Sequence, residues 1–402
     1  MKNLSILILF ICLLTAAAGC SDNAGDGYDT GLKMETLEVT TSTVSKGERL
    51  KLVDDRRINK VIFMIGDGTG IAQLYSGQLH EVGPEGRMHV QRFPITGLIK
   101  TFAADNLITD SAAGATAYSC GIKTNNGVIA QDTNGNDCVT LLEFAQQMGM
   151  ATGIVSTSGI THATPASFVS HIDSRSKYSQ IAEQMVNAQV DVMLGGGYEY
   201  FIPMDSSGSS REDNLNLIPD LEQQGYTVVF TKDDMVSTES DKLVGLFSEG
   251  GMPSENRVPT LSEMSAKALE ILDENEEGFF LMIEGSQIDW GGHGNDTPYV
   301  LREVQDFDDA VGPVLEYAEK NPSTLVIVTA DHETGGMTFN GANSEGNLMD
   351  IAWTTSGHTG TPIPLMAYGP YAVEFSGWWD NTEVGRKVAD LLGFEDFPSI
   401  QE

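Results

Sequence analysis

Apolar runs of strand length, each stopped by Gly, Thr, Ser or Ala and interleaved with amphipathic stretches, constrain this chain most. "KVIFMIG" (60–66), "ATGIVST" (151–157), "VDVMLGG" (190–196), "YTVVF" (226–230), "FFLMIEG" (279–285), "TLVIVTA" (324–330) and "IPLMAYG" (363–369) are nearly continuous in apolar residues. Strands of that kind are buried on both faces, which points to a mostly parallel sheet rather than one with a wet side. Between several of them lie helical patterns at 139–149, 178–188, 260–278 and 381–393, the third opening on Thr260 and Glu263 at capping-box spacing. Alternating strands and helices predict an α/β fold: a central, mostly parallel sheet flanked by helices on both faces. In such sheets functional groups gather beyond the carboxyl ends of the strands. With no internal repeat, residues 56–402 read as one catalytic domain.

Composition restricts partners more than fold. The chain has 23 Lys+Arg against 57 Asp+Glu, a net charge of −34. That field repels nucleic acid and anionic membranes, so neither is an expected partner, and an anionic substrate needs strong local positive charge. At the N-terminus Lys2 precedes "LSILILFICLLTAAAG", too short for a comfortable membrane span and ending in small residues before Cys20. "AAGC" resembles a bacterial lipoprotein signal. Residues 1–19 are therefore expected as a signal peptide, Cys20 as a lipidated residue and 20–55 as an acidic flexible tether. The protein is then extracytoplasmic, periplasmic or at the cell surface, meeting a membrane only through its lipid anchor. Beyond Cys12 and Cys20 only Cys120 and Cys138 remain, and an oxidising compartment would let them pair as a disulfide.

The polar residues at the strand ends carry the chemistry. Asp67 sits between two glycines in "IGDGTG", and Glu284, Asp289 and His293 follow in "EGSQIDWGGH". Asp331 and His332 end "TLVIVTADH", and His358 stands among small residues in "SGHTG". Singly, each has an ordinary explanation: a turn aspartate, a surface i,i+4 pair, a solvated histidine. Together, four carboxylates and three imidazoles aimed at one sheet edge would repel one another without cations. Mixed His/Asp ligation suits Zn²⁺ and an all-oxygen site suits Mg²⁺. "TDSAAGATAYSC" places Ser111 at a helix start, where it is either a cap or a nucleophile whose developing charge the helix terminus favours. No G-x-S-x-G elbow supports acyl transfer. "HATPASF" and the following segment add His162, Thr164 and Arg175, the last a bidentate clamp for phosphate oxygens.

"IGDGTG", "TDSAAGATAYSCGIKTNNG", "HATPASF", "EGSQIDWGGH", "TADHETGG" and "SGHTG", in that order, resemble the alkaline phosphatase family across roughly residues 59–368. The resemblance implies that family's three-layer sandwich. It also implies two Zn²⁺ and one Mg²⁺: the first zinc on Asp289, His293 and His358, the second on Asp67, Asp331 and His332. Magnesium would sit with Asp67, Thr164 and Glu284. Ser111 becomes the nucleophile that forms a phosphoserine, and Arg175 binds two phosphoryl oxygens. Enteric-type members carry Asp and Lys where this chain has His162 and Trp290; the imidazole opens the third site to zinc, and losing the lysine implies faster phosphate release. The short segment between His332 and His358 leaves little room for a crown-like insertion. The expected activity is therefore broad-specificity hydrolysis of phosphate monoesters for phosphate scavenging, by an enzyme whose relatives are usually dimers. The alternatives are a related two-metal phosphodiesterase or nucleotide pyrophosphatase, a non-catalytic zinc-binding surface lipoprotein, or a metal-independent serine esterase.

Overall fold

The structure, a computed structural model, describes residues 32–401. Cys12, Cys20 and the expected signal peptide lie outside them. Ten strands form the central sheet: β1 Lys60–Gly66, β2 Ile95–Lys100, β3 Ala151–Gly159, β4 Val192–Gly196, β5 Thr227–Val229, β6 Leu243–Leu246, β7 Phe279–Gly285, β8 Thr324–Thr329, β9 Ile363–Tyr368 and β10 Gly377–Asp380. Their order is β10-β2-β9-β8-β1-β7-β3-β4-β6-β5. Only β9 runs antiparallel to its neighbours, β2 and β8. The mostly parallel sheet predicted from the apolar runs is thus present.

The central strand β1 shows why. Val61, Phe63 and Ile65 point into a core shared with Tyr118, Phe168, Leu142 and Met185. Ile62 and Met64 point into the opposite core, with Leu79, Met264, Val304 and Phe307. Side chains alternate across a strand, so a run apolar at every position buries both faces. The first core is closed by the helices Ser111–Cys120, Leu141–Gln147, Tyr178–Asn187 and Asn381–Leu392. The second is closed by Ile71–Glu81, Leu261–Leu272 and Thr297–Lys320. The capping box at Thr260 and Glu263 forms as its spacing predicts, each side chain accepting from the other's backbone N–H.

Two expectations are corrected. Part of the expected tether belongs to the fold: Lys33–Glu38 is a strand, paired antiparallel with Leu348–Trp353, which pairs in turn with Met337–Ala342. Leu37 and Val39 are buried and anchor it. Cys120 and Cys138 are free thiols, both buried. Cys120 Sγ lies 3.6 Å from the Cys138 carbonyl oxygen, as a thiol donor does.

Candidate metal centre and nucleophile

The four central strands β8, β1, β7 and β3 deliver the polar residues to one edge. Asp67 follows β1 directly, Glu284 is the penultimate residue of β7, Asp331 and His332 follow β8, and His162 and Thr164 follow β3. Glycine permits their close approach. Gly68 has φ +71, and a Cβ there would lie 2.6 Å from the Asp289 Cα and 2.9 Å from Thr334 Oγ1. Its N–H donates to Asp331 Oδ1 at 3.1 Å. A Cβ on Gly114 would meet Asp331 at 3.1–3.2 Å, so the small residues of "SAAGA" let the Ser111 helix lie against the end of β8.

Three groups of side chains converge, each with ligand atoms within 4.8 Å of one another: Asp289, His293 and His358; Asp67, Asp331 and His332; and Asp67, His162 and Glu284. In the first, the Nδ1 atoms of His293 and His358 lie 2.6 Å from the Ser356 carbonyl and 2.8 Å from the Thr109 carbonyl. Each Nδ1 must then hold a proton, leaving both Nε2 atoms turned to Asp289 at 3.3 and 3.5 Å and to each other at 3.1 Å. Backbone-oriented imidazoles of this kind are what metal sites use to fix ligand direction. A bound cation would satisfy both Nε2 atoms. The hydrogen bond to Asp289 raises His293 to about 9. Burial opposes ionisation of Asp289, yet the bond to His293 and the neighbouring imidazoles hold its carboxyl well below the usual range.

The second and third groups are buried and short of partners. Asp67 Oδ1 and Oδ2, Asp331 Oδ2, Glu284 Oε1, Thr164 Oγ1 and His162 Nδ1 have no hydrogen-bond partner. An orphaned buried carboxylate oxygen is costly, and so many at one place make a donor set that bound cations would satisfy. Burial and the neighbouring carboxylates push Asp67 well up; burial and Asp289 push Asp331 to about 6; burial takes Glu284 to about 7. Burial and Arg175 bring His162 down to about 4, and burial with His358 brings His332 well below its usual range. Metal ligands must be in these deprotonated forms, so loading the centre displaces protons from the carboxyls.

Ser111 is the first residue of its helix, capped by Asp110, whose Oδ1 accepts from Ala113 N–H at 3.0 Å. Its Oγ is 3.3 Å from His332 Nε2, beside the second group and at the positive end of the helix. Arg175 closes the other side. Its Nη1 donates to Asp110 Oδ2 at 3.0 Å, and its Nη2 stands 3.5 Å from His162 Nε2. Trp290 meets His162 edge to face at 6.0 Å between ring centres. All the sequence-predicted site residues except Cys20 are therefore described, and apart from the two thiols they gather at this edge. Sequence reasoning missed the supporting hydroxyls. Thr334 donates to Asp289 Oδ1, and Ser158 and Ser286 donate to Glu284 Oε2 at 3.4 and 2.6 Å. Thr334 lies within "TADHETGG" and Ser286 within "EGSQIDWGGH", and both were findable there; nothing distinguishes Ser158 in sequence.

The sequence profile of the family described as alkaline phosphatase matches residues 58–350. Alkaline phosphatase 3 of Bacillus subtilis (strain 168) is 34% identical over 84% of this chain and 89% of its own. The alkaline phosphatase of the Antarctic bacterium TAB5 superposes with a TM-score of 0.77 at 36% identity, covering 85% of this chain and all of that one. A variant of it, solved with Mg bound in the M3 site, gives the same TM-score at 35% identity over the same shares of the two chains. By profile, sequence and fold alike, the chain belongs to the alkaline phosphatase family of phosphomonoester hydrolases.

Proposed function

We propose that this chain hydrolyses phosphate monoesters through a phosphoserine on Ser111, with broad specificity and in the service of phosphate acquisition. The observation that carries the reading is the Ser111 hydroxyl 3.3 Å from His332 Nε2, beside three ligand groups, two of which hold buried oxygens without partners. Asp289, His293 and His358 would hold one zinc, and Asp67, Asp331 and His332 a second. Asp67, Glu284 and Thr164 offer oxygens for magnesium; His162 adjoins them, so zinc is the alternative occupant. Bound there, the metals supply positive charge for the phosphoryl oxygens and for both the attacking and the leaving oxygen.

The chain's own residues do the rest. The helix terminus at Ser111 favours its ionised oxygen and an anionic ligand. Asp110 holds the Arg175 guanidinium toward the nucleophile, supplying the local cation that the acidic surface lacks. His162, kept neutral, accepts rather than competes for charge. The extracytoplasmic, lipid-anchored location expected from residues 1–20 is part of the same proposal.

The test is to quench turnover of an aryl phosphate in acid and map phosphate on the protein by mass spectrometry. A phosphoryl group on Ser111 is expected; undiminished turnover with none there would sink the mechanism.

A further inference from the structure

The N-terminal strand reaches the metal centre by a route that the ligand groups do not reveal. Only three residues separate His293 from Thr297, and both helices of that corner end in this gap. Helix ends leave backbone groups unpaired, and the strand Lys33–Glu38 meets several of them. Lys33 Nζ donates to the Asn295 carbonyl. Glu35 Oε2 accepts from the Thr297 N–H at 2.9 Å and from the Thr297 hydroxyl. The same oxygen accepts from the Trp353 indole at 3.3 Å, and Lys33 pairs with Glu35 at 3.0 Å.

Trp353 is the other half of the connection. Its ring lies against Gly335, where a Cβ would come within 2.5 Å of it. Gly335 follows the His332 ligand by three residues, and Trp353 precedes His358 by five. The Asn295 side chain donates to the Thr355 carbonyl at 2.9 Å, next to the Ser356 carbonyl that orients His293. One carboxylate on the N-terminal strand thus joins the segment after His293 to the strand that launches the His358 loop.

We infer that Glu35 is a positioning residue for the Asp289–His293–His358 group, fixing the distance between its two imidazoles. The inference rests on the metal reading above. Partners outside the ligand shell typically alter metal affinity 10–100-fold; one carboxylate further out belongs at the lower end.

The experiment is competition for zinc between the folded protein and a chromophoric chelator, for wild type, Glu35→Ala, Glu35→Gln and Thr297→Val. Glu35→Ala should weaken one zinc about tenfold while the others hold. Glu35→Gln keeps the acceptor and should stay within about twofold, and Thr297→Val, which removes one donor to Glu35 together with the hydroxyl that accepts from the Trp353 indole at 3.3 Å and is the fallback if the alanine variant does not fold, should weaken the same zinc about threefold. Unchanged zinc affinity in Glu35→Ala and Thr297→Val, or uniform weakening of all sites in step with a fall in unfolding temperature, overturns the inference alone. A wild-type chain that binds no zinc overturns the metal reading with it.

Discussion

Trp290 is the residue at which this chain's chemistry departs most visibly from the enteric pattern. It stands edge-on to His162, and a Cβ on Gly251 would meet its ring at 2.4 Å, so the indole fills the space beside the clamp without adding charge. Trp290→Lys should bind inorganic phosphate more tightly, on the order of tenfold for one partly screened charge, and slow turnover if product release limits it. Competitive inhibition by phosphate measures this; an unchanged inhibition constant counts against the role. Asp110 does two jobs through two oxygens, capping the Ser111 helix and holding Arg175. Asp110→Ala should cost about 1 kcal/mol of stability from the lost cap and weaken phosphate binding as Arg175 loosens. Thermal unfolding and the same inhibition assay separate the two effects.

At the scale of elements, the strand ends were legible because burial forbids unpaired carboxylates there: Asp67, Glu284, Asp331 and His332 stood out against apolar runs. Their supports were less so: Thr334 and Ser286 fall inside the quoted motifs, but a hydroxyl such as that of Ser158 matters only through its position. The N-terminal strand was hidden for another reason. Its partner, Leu348–Trp353, lies some three hundred residues away, and only Leu37 of its six residues is buried, so no local pattern marks it. Gly68 shows what an element junction tolerates. Gly68→Ala would put a methyl 2.6 Å from the Asp289 backbone at φ +71, adding roughly 1–2 kcal/mol of backbone strain to the clash. Zinc content after dialysis should fall in that variant; full retention would mean that the loop yields where the packing says it cannot.

Across the whole molecule charge acts on stability in two ways. With metals removed, Glu284 stays protonated up to about 7 and His293 up to about 9, against ordinary values near 4.5 and 6.5. His89, His162 and His332 are shifted the other way and are neutral in both states only above about pH 7.5. From there to about pH 9 His293 leaves the native state with more protons than the unfolded chain, and stability must fall as pH rises through that window. Urea midpoints of chelator-treated protein at about pH 7.5 and 9 check the sign, and metal loading should remove the trend. The −34 net charge is a self-repulsion that salt screens, so unfolding temperature should rise between low and molar NaCl. The charge and the sheet were readable in composition and pattern, whereas the free state of the buried Cys120 and Cys138 is not fixed by their spacing. If the gathered carboxylates, imidazoles, Arg175 and Ser111 form a monoesterase, the turnover ratio of an aryl phosphate monoester to the matching diester must show it, on zinc- and magnesium-loaded protein with Ser111→Ala alongside. A strong monoester preference that drops roughly a thousandfold or more in the Ser111 variant is the predicted result. A diester preference, or turnover indifferent to Ser111, would contradict it.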